Sequence, residues 1–592
     1  MIHSCSGFLP AETTRSACLS RTTPITIALL LLTMIPRVCA QQAPSDESPS
    51  PAGPTTDSAP KLLAHWPLNG STTELVNPNT TVIRRGQPDI RSGEESVGFS
   101  GSGTWLEIPA SDAPQHGTED FTIVLRVLCD TSSTRTTGDL LSQYDPVSRR
   151  GFHLSLKSSP GVTSSQAGFR HLQFGIDDNK STDWQDCGRP GEALLGFAMA
   201  EHQGALYVGT CEPGKDQSGR VFRYDENGQW INCGAPDNSN SVTAMAVFDD
   251  QLYVGTGKYR VAGSSLPESE NLALGGKIFR YDGGQKWTNC GQLPNTEATG
   301  GLVVFNGHLF ASSLYKPAGF FRYEGGQQWT SLPVPESLDT TMQTLSSRRV
   351  ESMTVHEGWL YAGSYDGGHV YRFDGKAWED CGRLGENTQT YSFTQYDGQL
   401  YVGTWPSGSV YRFEAPNKWS DCGRLGEELE VMGMMVNNGR LLAGTLPLAE
   451  VYEYQGLSAW KRLAQLDHTP DVRYRRAWTM AEHAGQLFCS TLPSGRIFSM
   501  SAGQQVQWGH TLPAKWCEII AVRSSDRLTL FVDRQQVAQS TVVDTKSWNL
   551  NSAAPLRIGA GMNGTLNGRI ADLRIYRGAL SPTKIPTRSA GE

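Results

Sequence analysis

The sequence predicts an all-β protein, and a repeated pattern in its middle part is the main reason. Between about residues 194 and 500 one pattern recurs seven times. Its clearest copy contains YDGQLYVGT from Tyr396, GSVYRF from Gly408 and WSDCG from Trp419. The composition agrees, because 63 Gly, 32 Pro and a charged fraction of 19% are typical of a large protein with many turns. Repeats of this kind predict a β-propeller, a ring of equivalent blades.

Each repeat divides into four short strands. The first is apolar and ends in a tight turn such as Asp397-Gly398, a dipeptide that favours the positive φ of a hairpin. The second strand has copies that begin at Leu206, Leu252, Leu309, Leu360, Leu400, Leu441 and Leu487. The third alternates its side chains between the two sheet faces, as in Val370–Phe373. The fourth begins at tryptophans that we expect to pack between blades, namely Trp230, Trp287, Trp329, Trp378, Trp419 and Trp460.

The two ends of the repeat region predict a closed ring. An extra copy of the fourth strand, Trp184–Gly188, precedes the first repeat, whereas the last repeat ends at Trp508 without the same signature. We expect the early strand to complete the blade formed by residues 477–500, because this pairing removes two exposed sheet edges. In period and general form the repeats resemble kelch-like and galactose-oxidase-like propellers.

Cysteines recur at one position of the repeat. Nine cysteines lie beyond residue 40, and five of them stand three residues after a tryptophan: Cys187, Cys233, Cys290, Cys381 and Cys422. We expect equivalent positions on neighbouring blades to be farther apart than the roughly 4.4 to 6.8 Å between Cα atoms that a disulfide requires. The sequence therefore predicts small buried residues rather than disulfide partners.

The first 60 residues predict export. An apolar run, Ile25–Ile35, follows basic residues, and Val38-Cys39-Ala40 resembles a secretory cleavage site. An uncleaved anchor is the alternative, but the run is about half of the roughly 20 residues that a spanning helix needs. We expect a signal peptide at residues 1–40, a disordered linker at residues 41–60 and no membrane span after cleavage. The mature chain is then secreted or extracellular, or periplasmic if the host is a bacterium.

The segments on either side of the repeats resemble two halves of another domain. Upstream, LAHWPLNG from Leu63 and WLEIP from Trp105 look like opening strands, and downstream GRIADLRIY from Gly568 looks like a closing strand. Together they resemble a laminin-G-like, concanavalin-A-type jelly roll. Neither half is long enough to stand alone, so we predict a β-sandwich into which a seven-bladed β-propeller is inserted. The predicted boundaries are residues 61–180 and 513–585 for the two halves of the sandwich, 181–512 for the propeller and 586–592 for a tail.

Strand direction predicts which face of the propeller carries a site. Both junctions with the sandwich fall on the face that bears the turns between first and second strands, so that face is turned toward the sandwich. The opposite face carries three long irregular loops, Gly257–Gly276, Ser331–Val350 and Lys461–Arg476. These loops break the equivalence of the repeats, and a specific function is expected where that equivalence ends.

Basic and aromatic side chains are frequent on this face. The candidate ligand-binding residues are Lys258, Tyr259, Arg260, Tyr365, Trp405, His468, Asp471, Arg473, Tyr474, Arg475 and Arg476. Aromatic platforms beside Arg, Asp and His side chains suit a glycan, and they suit a protein partner equally. The alternative is that the long loops merely cover the mouth of the channel.

The sequence favours a non-enzymatic recognition or adhesion protein that binds a glycan or an extracellular protein, also through its laminin-G-like domain. The net charge of −8 argues against nucleic acid binding. The alternative is a secreted carbohydrate-active enzyme, a glycoside hydrolase or polysaccharide lyase, with its site at the propeller mouth. We expect no cofactor other than calcium, which laminin-G-like domains sometimes bind. The candidate calcium ligands are Asp145, Asp177 and Asp178.

Overall fold

A computed structural model describes residues 61–91, 93–129, 138–159, 165–340 and 342–586 of the chain. The predicted signal peptide and linker, and residues 587–592 of the predicted tail, lie outside these ranges. Within them, no helix is long and apolar enough to cross a membrane. Two short 3-10 helices, Val261–Ser264 and Pro582–Lys584, accompany a fold built from β-strands.

Eight strands precede the repeats. They are β1 (Lys61–Trp66), β2 (Ile83–Arg85), β3 (Val97–Ser100), β4 (Trp105–Ile108), β5 (Phe121–Cys129), β6 (Asp139–Asp145), β7 (Arg150–Ser159) and β8 (Ser165–Ser181).

The strands of the repeat region follow. The first part comprises β9 (Gln185–Asp186), β10 (Leu195–His202), β11 (Ala205–Cys211), β12 (Val221–Tyr224), β13 (Trp230–Asn232), β14 (Ser241–Phe248), β15 (Gln251–Gly257), β16 (Lys277–Tyr281), β17 (Trp287–Gln292), β18 (Thr299–Phe305), β19 (His308–Ser313), β20 (Phe320–Gly325), β21 (Gln328–Leu332), β22 (Glu336–Asp339) and β23 (Thr344–Ser347). The second part comprises β24 (Met353–His356), β25 (Trp359–Gly363), β26 (His369–Phe373), β27 (Trp378–Arg383), β28 (Gln389–Tyr396), β29 (Gln399–Trp405), β30 (Ser409–Ala415), β31 (Lys418–Arg424), β32 (Glu430–Asn437), β33 (Arg440–Leu446), β34 (Glu450–Tyr454), β35 (Trp460–Gln465), β36 (Arg476–His483), β37 (Gln486–Leu492) and β38 (Ile497–Met500).

Eight strands come after the repeats. They are β39 (Ala502–Thr511), β40 (Cys517–Arg523), β41 (Leu528–Val532), β42 (Gln535–Gln539), β43 (Leu556–Ile558), β44 (Ala560–Gly561), β45 (Gly564–Thr565) and β46 (Asn567–Arg577).

Strands from both ends of the chain form two facing sheets. One sheet has the order β1-β46-β5-β40-β41-β42, with β3 also paired to β46. The other contains β39, β8, β7, β6, β43, β4 and β2 as successive neighbours. Inward-facing apolar side chains of both sheets, among them Trp66, Phe121, Phe152 and Leu530, form one buried core. Burial of these alternating side chains is what holds the two sheets together.

The repeats form four-stranded antiparallel units. Five of these units are separate sheets, namely β18 to β21, β24 to β27, β28 to β31, β32 to β35, and β36 to β38 with β9. The strand at Gln185–Asp186 thus completes the last unit, as its sequence predicts. The count of separate blades is five and not the predicted seven. Strands β10 to β17 are instead part of a 15-stranded sheet, because backbone pairing joins β11 to β14 and β14 to β8.

The repeated tryptophans bridge consecutive units. In five cases the indole N–H donates to the backbone carbonyl of the repeated cysteine in the preceding unit, at 2.8 to 2.9 Å: Trp230 to Cys187, Trp287 to Cys233, Trp329 to Cys290, Trp419 to Cys381, and Trp460 to Cys422. Trp378 bonds to the carbonyl of Pro333 in the same way. All nine cysteines are free thiols, and all but the half-buried Cys187 are buried. The prediction of unpaired small residues at this position therefore holds.

The turns between first and second strands contact the two-sheet sandwich. Asn438, in the turn after β32, lies 2.8 Å from His153 Nε2 on β7, and Asp397 pairs with Arg557 at 3.0 Å. Strand β39 pairs with β8, so residues 502–511 belong to the sandwich sheet. The prediction placed residues up to 512 in the propeller. In the structure the strand around Trp508 hydrogen-bonds to β8 and not to a blade.

Candidate functional site

A pocket of about 610 Å³ opens at the end of the blades that lies away from the sandwich. It is formed where the first strands begin, at Gln389, Glu430 and Arg476, and where the second strands end, at Trp405 and Leu446. The opposite ends of these same strands carry the turns that touch the sandwich. The pocket is thus on the face that strand direction predicts.

Seven aromatic residues contribute to the wall of the pocket. Tyr365 and Tyr391 are stacked with ring centroids 5.6 Å apart, and Trp478 meets Tyr391 edge to face at 6.1 Å. Trp405 and Tyr474 are perpendicular at 6.2 Å. Tyr259 and Tyr315 complete the set. Because these rings pack against one another, their faces and edges are held in place before any ligand arrives.

Arg476 is a buried cation in this wall. Its side chain lies over the rings of Tyr474 and Trp478, at 5.5 and 5.6 Å from their centroids. The residue is 7% exposed, and its Nε and Nη1 atoms have no hydrogen-bond partner in the described part of the chain. Buried guanidinium N–H groups normally find acceptors, so these two donors stand out.

Glu430 lies in the same pocket and is 6% exposed. Burial raises the pKa of Glu430 to about 7, and the charge of Arg476 only partly opposes this rise. The carboxyl group is therefore largely protonated below neutral pH and does not neutralise the guanidinium. Arg476 therefore has no permanent counter-charge among the described residues that it contacts.

The loop after β15 forms the rim and is tied together internally. Glu268 accepts hydrogen bonds from the backbone N–H groups of Val261, Ala262 and Ser269, and Lys258 Nζ lies 3.3 Å away. Burial opposes ionisation, but these donors outweigh it and hold the pKa of Glu268 below its usual value. Arg260 pairs with Glu297 at 2.5 Å, so its charge is satisfied.

The structure brings together six of the eleven candidate residues. Tyr259, Arg260, Tyr365, Trp405, Tyr474 and Arg476 line the pocket. The other five are outside its lining: Lys258 is held by Glu268 and the carbonyl of Ser269, Arg475 donates to the carbonyl of Thr469, and His468, Asp471 and Arg473 are exposed. The first five residues of the third predicted loop are regular, because β35 extends to Gln465. The second loop contains the hairpin of β22 and β23.

Sequence reasoning missed several lining residues, among them Tyr315, Tyr391, Glu430 and Trp478. Three of these four, Tyr391, Glu430 and Trp478, lie within the first three residues of the first strand of a repeat. The apolar character of that strand predicts only core positions. The sequence did contain a signal for two of them. The third residue of the first strand is aromatic in β28 (Tyr391) and β36 (Trp478), whereas it is the small Thr243 in β14.

The three candidate calcium ligands have protein partners. Asp177 pairs with Arg149 at 3.1 Å, and Asp178 pairs with Arg150 at 2.8 Å. Asp145 accepts from Ser148 Oγ at 2.7 Å. No group of three or more His, Cys, Asp or Glu side chains that could hold a metal ion occurs among the described residues.

Comparison with known proteins finds one family match. Residues 456–586 match the model of the concanavalin A-like lectin/glucanases superfamily, in its laminin-G type. No curated protein matches the chain. The chain therefore combines propeller-like blades with a laminin-G-like, concanavalin A-like region, and this architecture is compatible with a binding or recognition role.

Several solved structures match part of the chain. A catalytically inactive virginiamycin B lyase from Staphylococcus aureus is 9% identical, with a TM-score of 0.42 over 54% of this chain and 99% of that one. YCF48 from Cyanidioschyzon merolae is 13% identical, with a TM-score of 0.38 over 54% and 99%. The WD40 propeller of Doa1 is 12% identical, with a TM-score of 0.37 over 54% and 97%.

Proposed function

We propose that the protein is a secreted, non-enzymatic recognition protein that binds glycans in the aromatic pocket at the propeller mouth. In this proposal the seven kelch-like repeats form one ring inserted into the laminin-G-like sandwich. The sandwich orients the ring, so that the pocket points away from it, and it offers a second binding surface.

One observation supports the proposal most directly. Seven aromatic rings, Tyr259, Tyr315, Tyr365, Tyr391, Trp405, Tyr474 and Trp478, line a single concavity of about 610 Å³. A pocket of this size suits a ligand of a few sugar rings, since small-molecule sites commonly measure about 300 to 1,000 Å³. Ring faces pack against the apolar faces of sugars, while tyrosine hydroxyls and the amide of Gln389 can bond to sugar hydroxyls.

A glycan array followed by calorimetry tests this function. We expect the chain to retain a subset of oligosaccharides, and Trp405→Ala to weaken their binding by about 30-fold, because truncating a central aromatic residue typically costs about 2 kcal/mol or more. Phe248→Ala is the matched control, since Phe248 is a half-buried aromatic residue at the other end of a blade. Equal losses in both variants would mean that the pocket is not the binding site.

The enzyme alternative has one observation in its favour. Glu430, with a pKa of about 7, and Glu268, with a lowered pKa, line the same pocket, and divergent pKa values are typical of acid and base pairs. However, Glu268 already accepts several hydrogen bonds within its loop. A reducing-end assay on the retained glycans separates the two functions. Sugar release that Glu430→Gln abolishes would make the protein an enzyme.

A further inference from the structure

We propose that Arg476 binds a carboxylate of the ligand, so that the glycan recognised by the pocket is an acidic one that contains uronic acid residues. This inference rests on the proposed function and narrows it to one class of glycan.

The unpaired donors of Arg476 are the first reason. A guanidinium group presents its N–H groups as a planar fork that matches the two oxygens of a carboxylate. Nε and Nη1 of Arg476 are both buried and both without an acceptor. A carboxylate that entered the pocket would supply the counter-charge that Arg476 lacks, and it would pair with one edge of the guanidinium, because Nε and Nη1 belong to different edges.

Other buried arginines of the chain differ from Arg476. Arg440 forms two hydrogen bonds of 2.8 Å with Glu453, and Arg574 pairs with Asp572 at 3.0 Å. Arg523 has no carboxylate partner, but it donates to the carbonyl of Thr545 at 2.7 Å and to other backbone carbonyls. Arg476 has none of these partners among the described residues, and it faces a cavity. Its missing acceptor is therefore expected to come from outside the chain.

The surroundings of Arg476 favour a sugar acid over other anions. The guanidinium lies 5.5 and 5.6 Å from the ring centroids of Tyr474 and Trp478, and Tyr391 and Trp405 line the same pocket. A ring-shaped ligand with one carboxylate matches this arrangement of one cation within an aromatic wall. A peptide C-terminus is typically captured by backbone N–H groups. The second arginine of the pocket, Arg260, is already paired, so a multiply charged anion finds no second free cation among the described lining residues.

Calorimetry on the full-length chain tests the inference with paired probes. The probes are tetrasaccharides of galacturonate, of mannuronate and of hyaluronan, each compared with its carboxyl-reduced form. We expect at least one acidic probe to bind, and its reduced form to bind about 10- to 100-fold more weakly, as for loss of a charge-assisted hydrogen bond. This comparison changes the ligand only, so it does not depend on how any variant folds.

Variants of Arg476 test whether this residue binds the carboxylate. Arg476→Gln is expected to reduce acidic-probe binding about as much as carboxyl reduction does, and to leave binding of the reduced probe unchanged. Arg476→Lys is expected to restore part of the loss, because an ammonium group supplies charge without the fork. Arg322→Gln is the control, since it removes one positive charge at an exposed pair with Glu324. Melting temperatures establish that the variants are folded.

The outcomes are distinct. If carboxyl-reduced probes bind as well as acidic ones, the carboxylate inference is wrong while the glycan-binding function stands. If no saccharide binds, the glycan-binding function and the inference are both wrong. Peptides with free and amidated C-termini form a further arm. Binding of free C-termini alone would replace the acidic glycan with a protein ligand.

Discussion

Glu430 and Arg476 occupy the same position of adjacent repeats, at the first residue of β32 and of β36. Each pairs with the last residue of the neighbouring second strand, Leu446 or Leu492. Gln389 occupies this position in the preceding repeat, opposite Trp405. One position of the repeat thus supplies an amide, an acid and a cation to the same pocket. Equivalent backbone geometry brings them together, and their different side chains make the site specific.

The acid at this position predicts a pH dependence of binding. A uronate probe is ionised above about pH 4, and Glu430, with a pKa of about 7, becomes an anion only near neutral pH. Below pH 7 the neutral acid leaves Arg476 free, and above it the Glu430 carboxylate repels the probe and competes for the cation. We expect binding of an acidic tetrasaccharide to weaken roughly tenfold from pH 6 to pH 8.

Glu430→Gln isolates this effect. The variant is expected to bind the acidic probe equally at pH 6 and pH 8, measured by calorimetry, and the exposed Glu427→Gln is expected to behave as the wild type. The same comparison distinguishes the effect of Glu430 from that of other titratable groups near the pocket. Glu268 has a lowered pKa and stays ionised, whereas burial raises the pKa values of Glu351, Tyr365 and Tyr391. If the glutamine variant keeps the full pH dependence, one of these groups causes it.

At the scale of the element, the tryptophan at the start of each fourth strand connects that strand to the unit before it. The indole of Trp419 packs beside Phe413 of its own unit, with ring centroids 5.0 Å apart, and donates to the carbonyl of Cys381 at 2.8 Å. The sequence repeat therefore has a structural role. It repeats the residue that joins one sheet to the next, and its cysteine supplies a carbonyl and a small buried side chain.

Removing one of these hydrogen bonds is expected to destabilise the protein measurably. Trp419→Phe keeps an aromatic ring but removes the indole donor to the Cys381 carbonyl, which still accepts from the backbone N–H of Asn417 at 2.8 Å, so the free energy of unfolding should fall by about 1 kcal/mol. Urea unfolding followed by circular dichroism measures this change. Trp516→Phe is the control, because Trp516 is half-buried in the sandwich and lies under Arg126. A larger loss in the control would contradict a special role for the repeated tryptophan.

For the whole molecule, buried polar contacts join the sandwich to the blades. Lys157 on β7 pairs with Glu482 on β36 at 2.5 Å, and Gln173 on β8 donates to the same carboxylate at 3.0 Å. Asn437, at the end of β32, donates to the other oxygen of Glu482 at 2.8 Å. Charged groups buried between two bodies hold one relative orientation, because any other arrangement leaves them unpaired.

Breaking this pair is expected to affect the entire chain. Lys157→Met leaves the Glu482 carboxylate buried with only neutral donors, and we expect a loss of about 3 kcal/mol in the free energy of unfolding. Intrinsic tryptophan fluorescence in urea should still report one transition at a lower midpoint. Lys461→Met, at an exposed lysine of β35, is expected to change stability by less than about 0.5 kcal/mol. Two separated transitions in the wild type would show that the sandwich and blades unfold independently.

Much of the architecture follows from local patterns in the sequence. Strand alternation, Asx-Gly turns and the position of Trp419 and its equivalents predict four-stranded units, because these features depend on residues close together in the chain. The pairing of Gln185–Asp186 with β38 was predictable too, since the repeat lacks one strand at one end and has one too many at the other. The number of separate sheets, five, was not predictable. Met245 of β14 pairs with Ser165 of β8, and this pairing between residues far apart in the chain joins β14 to the sheet of the sandwich.

The pocket, too, was predictable from the sequence only in part. The sequence alone placed Tyr259, Tyr365, Trp405 and Arg476 on one face, because strand direction assigns each loop to one end of a blade. It could not separate Arg476 from Arg475, which is its neighbour in the chain but donates to a carbonyl in its own loop. Burial without a partner depends on every residue that packs around a side chain, and those residues come from several repeats. The unpaired charge of Arg476 and the raised pKa of Glu430 therefore arise only when the chain is folded.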